Sequence, residues 1–142
     1  MTTAIVTVGT EVPEYARTTD LANWNRYAAV NDEFVPIHMD DEAGRVAGFP
    51  SAFGMGNLLW SYLHNMLREW IDASFDGAGR ILRVECSFRS PNLRGQTVAA
   101  RGTVTGVREE GGTTLVDLEI AVVDRDAPDT MLAPGTATVA LS

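Results

Sequence analysis

The sequence predicts an α+β fold in which one long amphipathic helix is followed by an antiparallel sheet wrapped round it. Apolar residues recur at helical spacing from Met55 to Ile71, and beyond Gly77 the hydrophobic period changes to that of strands. With 142 residues, 45% of them apolar, the chain has the size of one domain, taken as 1–142. No internal repeat, low-complexity tract or linker divides it, so the two halves are expected to fold together.

Thr19-Asp20 stands ahead of a run in which Leu21, Trp24, Tyr27 and Ala28 share a face, the pattern of a short capped helix to about Val30. Asn31 to His38 follows as a loop, because Pro36 blocks helix continuation and pushes Val35 towards extended geometry. Asp40-Asp41-Glu42 places acids at the start of a short helix to about Ala47, which Gly48-Phe49-Pro50 ends. From Met55, the positions Leu58, Leu59, Tyr62, Leu63, Met66, Leu67, Trp70 and Ile71 form a wide apolar stripe that needs a large apolar surface to lie against.

The second half supplies that surface. Leu82, Val84, Cys86 and Phe88 alternate with Arg83, Glu85, Ser87 and Arg89, which predicts a strand with the first set turned inward. Pro91 to Gly95 turns the chain. Gln96 to Arg108 and Thr113 to Asp124 read as two strands joined by a tight hairpin at Gly111-Gly112. A last strand, about Gly135 to Leu141, is expected after a proline-containing loop from Arg125 to Pro134.

Composition narrows the function. All 11 basic residues are arginine, so mechanisms that need a lysine amine are excluded. A formal net charge of -8 repels polyanions, and nucleic acid is not an expected partner. The single cysteine, Cys86, cannot close an internal disulfide; on the inward phase of its strand it reads as a small apolar residue. The start of the chain has neither a charged leader nor a sustained apolar run, and no segment has the roughly 18 apolar residues of a membrane span. The expectation is a cytoplasmic protein without a membrane partner.

Three blocks of this sequence resemble the MaoC-like hot-dog fold hydratases and dehydratases, which act on acyl thioesters. The family's loop motif, Gly-Asp-x-Asn-Pro-Ile-His with a following Asp, is similar to Asp32-Glu33-Phe34-Val35-Pro36-Ile37-His38 followed by Asp40. Its His-Gly-Met at the start of the central helix corresponds to Phe53-Gly54-Met55. Its strand-turn-strand signature corresponds to Ser87-Phe88-Arg-Ser-Pro91-Asn-Leu-Arg-Gly95. Val8-Gly9 and Tyr27-Ala28 extend the match in the same order. Three departures fall at the chemistry: Glu33 stands where the family has its catalytic aspartate, Val35 replaces an asparagine and Phe53 a histidine.

The resemblance implies an (R)-specific enoyl-CoA hydratase or 3-hydroxyacyl thioester dehydratase that needs no cofactor and no metal. His38 suits the proton transfers, since an imidazole titrates near pH 6.5. Glu33, with Asp32 in reserve if the register shifts by one, is the carboxylate that shares the attacking water. The amide of Gly54, where the long helix begins, is implied as donor to the enolate oxygen, with Met55 beside it. The acyl group is carried on coenzyme A or acyl carrier protein, and Arg89 and Arg94 are candidates for its phosphates. Family members pair so that sites lie at a subunit interface, so a homodimer, or a heterodimer with another hot-dog subunit, is expected.

Two readings compete. Val35 and the shifted acids suit a catalytically silent hot-dog subunit that completes an active partner. A thioesterase would use a carboxylate in the central helix, yet Glu69 and Asp72 lie towards its far end. His64, on the same helix between apolar rows, reads as structural.

Overall fold

The computed structural model describes residues 5–142; Met1 to Ala4, the beginning of the segment read for a leader, lie outside the described residues. In chain order the elements are β1 (Glu11–Thr18), α1 (Leu21–Asn31), a 3₁₀ turn (Pro36–His38), α2 (Asp41–Val46), β2 (Phe53–Gly54) and α3 (Gly56–Phe75). The second half holds β3 (Gly79–Cys86), β4 (Asn92–Leu93), β5 (Thr97–Glu110), β6 (Thr113–Asp124) and β7 (Ala127–Leu141). Five strands pair antiparallel in the order β1-β5-β6-β7-β3, and β2 with β4 forms a separate two-stranded ladder. The sheet lies against α3, the α+β hot-dog arrangement.

Every position of the stripe from Leu58 to Ile71 is buried, because i, i+3, i+4 spacing keeps all of them on the face turned to the sheet. Asp76, in the left-handed region at φ 54°, and Gly77, at φ 71°, end the helix, and the Gly77 N–H satisfies the carbonyl of Ile71 at 3.1 Å. In α1 the capping box is complete: the Asp20 side chain accepts from the Ala22 N–H, and the Asn23 side chain accepts from the Asp20 N–H. Trp24 and Ala28 are its buried residues.

Three expectations need correction. The first half is not purely helical, since β1 precedes α1; Pro13 is tolerated because β1 is an edge strand, with its pairing to β5 interrupted between Val12 and Tyr15. Leu82 and Phe88 are 48% and 55% exposed rather than inward. The register between β3 and β7 slips between Ile81 and Arg83, so the alternation changes phase at Leu82, and Phe88 lies beyond the end of the strand. The segment from Arg125 to Pro134 is not a loop: β7 begins at Ala127, and irregular pairing near Val123 lets its first half follow β6 despite Pro128 and Pro134.

Leu63 is fully buried on the face that α3 turns to the sheet. Leu63→Ala is expected to lower unfolding free energy by about 2–5 kcal/mol, read from the midpoint of a urea titration, because the rigid sheet cannot collapse into the space.

Candidate active site

The centre of the site is the short run Ser51 to Gly56, held from three directions. From one side α2 presses on it: a Cβ at Gly44 would stand 2.0 Å from the Ser51 carbonyl oxygen, so only glycine permits that approach. Asp40 caps α2 by accepting from the Ala43 N–H at 3.0 Å, and Asp41 accepts from the Ala52 N–H at 3.1 Å. From a second side β4 pairs with β2, setting Leu93 opposite Phe53 and Asn92 opposite Gly54. The third contact comes from His38.

Pro36 opens the 3₁₀ turn, and its fixed φ lets three residues bring His38 inward to 8% exposure. The His38 Nδ1 lies 2.7 Å from the carbonyl oxygen of Phe53. A carbonyl can only accept, so Nδ1 carries the proton and Nε2 of the neutral ring keeps its lone pair. The Phe53 ring meets the imidazole edge-on, with centroids 5.1 Å apart. A histidine whose other nitrogen is fixed by a backbone carbonyl is oriented as a base.

The two candidate acids are placed differently. Asp32 is the left-handed C-cap of α1, at φ 53°, and is exposed. Glu33 is half-buried, and its N–H donates to the Ala28 carbonyl at 2.9 Å. Among the described residues no hydrogen bond joins either carboxylate to His38. Gly54 is buried, and packing leaves no room for a side chain: a Cβ there would stand 2.5 Å from Asn92 Oδ1 and 2.6 Å from Trp24 Nε1. Met55 is the N-cap of α3, but its side chain is in the core, so it presents only backbone to a site.

No side chain caps the start of α3 and no acid lies in its first turn, which leaves a 20-residue helix with uncapped amides beside the run described above. A cleft of about 250 Å³ opens at this helix start, with Gly54, Gly56, Leu59 and the rings of Phe49, Phe53 and Phe88 in its walls. Arg89 is also in its lining and makes no ion pair among the described residues. Arg94 instead pairs with Asp41.

The remaining candidates fall outside this centre. His64 Nδ1 lies 3.1 Å from the Trp60 carbonyl within α3, a structural contact. Burial pushes the Cys86 thiol up from its ordinary value, which suits an inert side chain. Asp72 pairs with Arg68, and Glu69 is 13 residues beyond Gly56, about 20 Å along the helix. The residues missed from sequence are Trp24, Asn92 and Phe88 as neighbours of the helix start. Asn92 is buried within a polar network, donating to Gln96 Oε1 at 3.2 Å and to Thr19 Oγ1 at 2.9 Å. A polar residue inside the turn signature was the one available signal.

The sequence profile described as MaoC like domain matches residues 5–124. No curated protein matches the chain. Among solved structures, the (R)-hydratase from A. caviae involved in PHA biosynthesis is similar at 23% identity and a TM-score of 0.81, over 96% of this chain and 98% of that one. A chain of the ChsH1-ChsH2 complex from Mycobacterium tuberculosis is similar at 16% identity and a TM-score of 0.82, over 97% of this chain and 100% of that one. A chain of the HadBC (3R-hydroxyacyl-ACP dehydratase) complex, also from Mycobacterium tuberculosis, is similar at 15% identity and a TM-score of 0.73, over 94% of this chain and 96% of that one.

Gly54→Ala is expected to cost about 1–3 kcal/mol in chemical unfolding, because the new methyl group meets Trp24 and Asn92 rather than solvent. Asp41 has its carboxyl held below the ordinary 3.8, chiefly by the Ala52 N–H and further by the Arg94 guanidinium, against the opposing effect of burial. The folded state therefore binds this proton less tightly than the unfolded chain, and Asp41 stabilises the fold above pH 3.8 but loses that contribution as pH falls through the lowered value. Thermal melts should show a Tm gap between the protein and Asp41→Asn at neutral pH, narrowing on acidification below about pH 4.

Proposed function

Because the chain belongs to the MaoC like domain family, we propose that it is a hydro-lyase acting on an acyl thioester. It hydrates a 2-enoyl thioester to the (R)-3-hydroxyacyl thioester, or runs the reverse dehydration. The observation that carries this reading is the 2.7 Å contact between His38 Nδ1 and the carbonyl of Phe53, three residues ahead of α3, which leaves Nε2 with its lone pair to act as the base. Nε2 takes a proton from water as its oxygen bonds to C3, and the α-carbon then receives a proton. Glu33 is the carboxylate that shares the water; its half-buried position supports it over the exposed helix cap Asp32. Charge developing on the thioester oxygen is met by backbone amides at Gly54 and the helix start. Addition of water changes no oxidation state overall, so the reaction calls for no redox cofactor.

The carrier is coenzyme A or acyl carrier protein, and the chain works as one domain, 1–142, in the cytoplasm. No helix among the described residues is long and apolar enough to cross a membrane. A dimeric state, with itself or with another hot-dog subunit, is supported by the exposed Trp60 and Leu82 at the open edge of β3. Two of the structural neighbours come from complexes, ChsH1-ChsH2 and HadBC. A second reading, a silent subunit that completes an active partner, is favoured by one observation: neither carboxylate of the loop bonds to His38.

The test is the loss of enoyl absorbance when the purified protein is given crotonyl-CoA and longer 2-enoyl-CoAs. His38→Ala and Glu33→Gln are each expected to lower kcat by roughly 10²-fold or more, with Asp32→Asn within a few-fold. The reverse ranking of the two acids would give Asp32 the role. Activity only after addition of a second hot-dog subunit would establish the silent-subunit reading, and release of free coenzyme A from saturated acyl-CoA would establish a thioesterase.

A further inference from the structure

Three of the chain's five phenylalanines, Phe49, Phe53 and Phe88, stand round the cleft at the start of α3. Phe49 and Phe53 form one wall, tilted at 41° with centroids 4.3 Å apart. Phe88 forms another part of the wall, and its placement is built in. The Ser87 N–H donates to the Pro134 carbonyl at 2.9 Å and the Arg89 N–H to the Leu132 carbonyl at 2.8 Å, so the backbone is tied on both sides of it. Its ring lies against Gly56, where a Cβ would be 2.7 Å from it. A phenylalanine left 55% exposed on a tied backbone gives the cleft aromatic surface. Leu59 and Pro91 add to the apolar part of the lining, and Arg89, Ser90 and Asn92 form its polar part. Phe53 joins this cleft to the candidate base, since its carbonyl accepts the hydrogen bond from His38 Nδ1.

We propose that the cleft selects an acyl chain carrying a single aromatic ring at C3, so that the substrate is a 3-aryl-2-enoyl thioester or its 3-aryl-3-hydroxy hydrate. The proposal rests on the hydro-lyase reading above and narrows its substrate. Aromatic rings gain from offset and edge-on contacts with other rings beyond what apolar burial gives, and walls made of ring faces reward a flat π system over an aliphatic chain of equal bulk. The volume of about 250 Å³ lies below the roughly 300–1,000 Å³ of pockets that hold drug-sized ligands, which suits one ring rather than a fused polycycle. In dehydration, C2 gives its proton to the base, the C3–O bond breaks and the oxygen leaves as water after taking a proton. The new double bond is conjugated with both ring and thioester, so no further reactant is needed.

The experiment compares coenzyme A thioesters that differ only at C3: phenyl, cyclohexyl and n-propyl 2-enoyl forms for turnover, and their saturated analogues for equilibrium binding by calorimetry. Because the carrier is common, the ratios read the acyl end alone. The phenyl compounds are expected to exceed the cyclohexyl ones by roughly threefold to tenfold in both kcat/KM and affinity, with Phe88→Leu bringing both ratios close to one. Turnover of all three without preference for phenyl overturns this proposal and leaves the hydro-lyase reading standing. Absence of turnover with a preserved phenyl preference in binding overturns the hydro-lyase reading but keeps the cleft's selectivity. Phe88→Leu that alters the oligomeric state without altering either ratio assigns the ring to a subunit interface and overturns the proposal.

Discussion

The hydrogen bond from His38 to the Phe53 carbonyl is the constraint on which the arrangement of the site depends. It is worth about 0.5–1.5 kcal/mol to stability, a small share of what folding requires, so its importance lies in geometry. One end fixes the imidazole's orientation and the location of its lone pair. The other holds a backbone that leads within three residues to the first turn of α3. The loop carrying His38 and the helix carrying the uncapped amides are thereby tied to each other directly, rather than through the distant sheet.

The surroundings of Gly54 show what that placement costs. Trp24 is fully buried, and its indole N–H has no hydrogen-bond partner. A buried donor left unpaired costs about 1–3 kcal/mol, which the burial of a large aromatic ring offsets. Asn92, by contrast, is held by Thr19 and Gln96, and Gln96 in turn donates to Asp124 at 2.9 Å. A satisfied polar network therefore fixes the strand opposite Gly54, and an unsatisfied group touches Gly54 from the side of α1. Glycine is what the two together leave room for. Interior packing is by itself sufficient to require glycine here.

This bears on what could be read from the chain alone. The helix α3 was legible because a single stripe from Leu58 to Ile71 decides its packing, and α2 because Asp40 caps it within three residues. Strand β1 was not, since Pro13 and an irregular pairing hide a buried pair, Val12 and Tyr15, that is not spaced by two. Leu82 breaks the alternation for the same reason: the register slips between Ile81 and Arg83 and turns it outward, while Val84 and Cys86 beyond the slip keep to the inward phase. Within the site, His38 was legible through the loop motif, whereas Trp24, Asn92 and Phe88 converge on the helix start from α1, β4 and the segment after β3. Contacts over such sequence separations leave no local periodicity.

The same distinction between local and global applies to charge. A net charge of -8 opposes an anionic carrier, so binding one requires positive charge kept available at the site. Seven arginines are committed to ion pairs among the described residues: Arg45, Arg68, Arg83, Arg94, Arg101, Arg108 and Arg125. Arg17 lies over the Tyr15 ring, 3.9 Å from its centroid. Arg26, Arg80 and Arg89 make no ion pair among the described residues, and of these only Arg89 lines the cleft, with its backbone fixed by Leu132. An acidic surface that pairs most of its arginines, and leaves Arg89 unpaired in the lining of a largely apolar cleft, favours a ligand that is anionic at one end and apolar at the other over a polyanion.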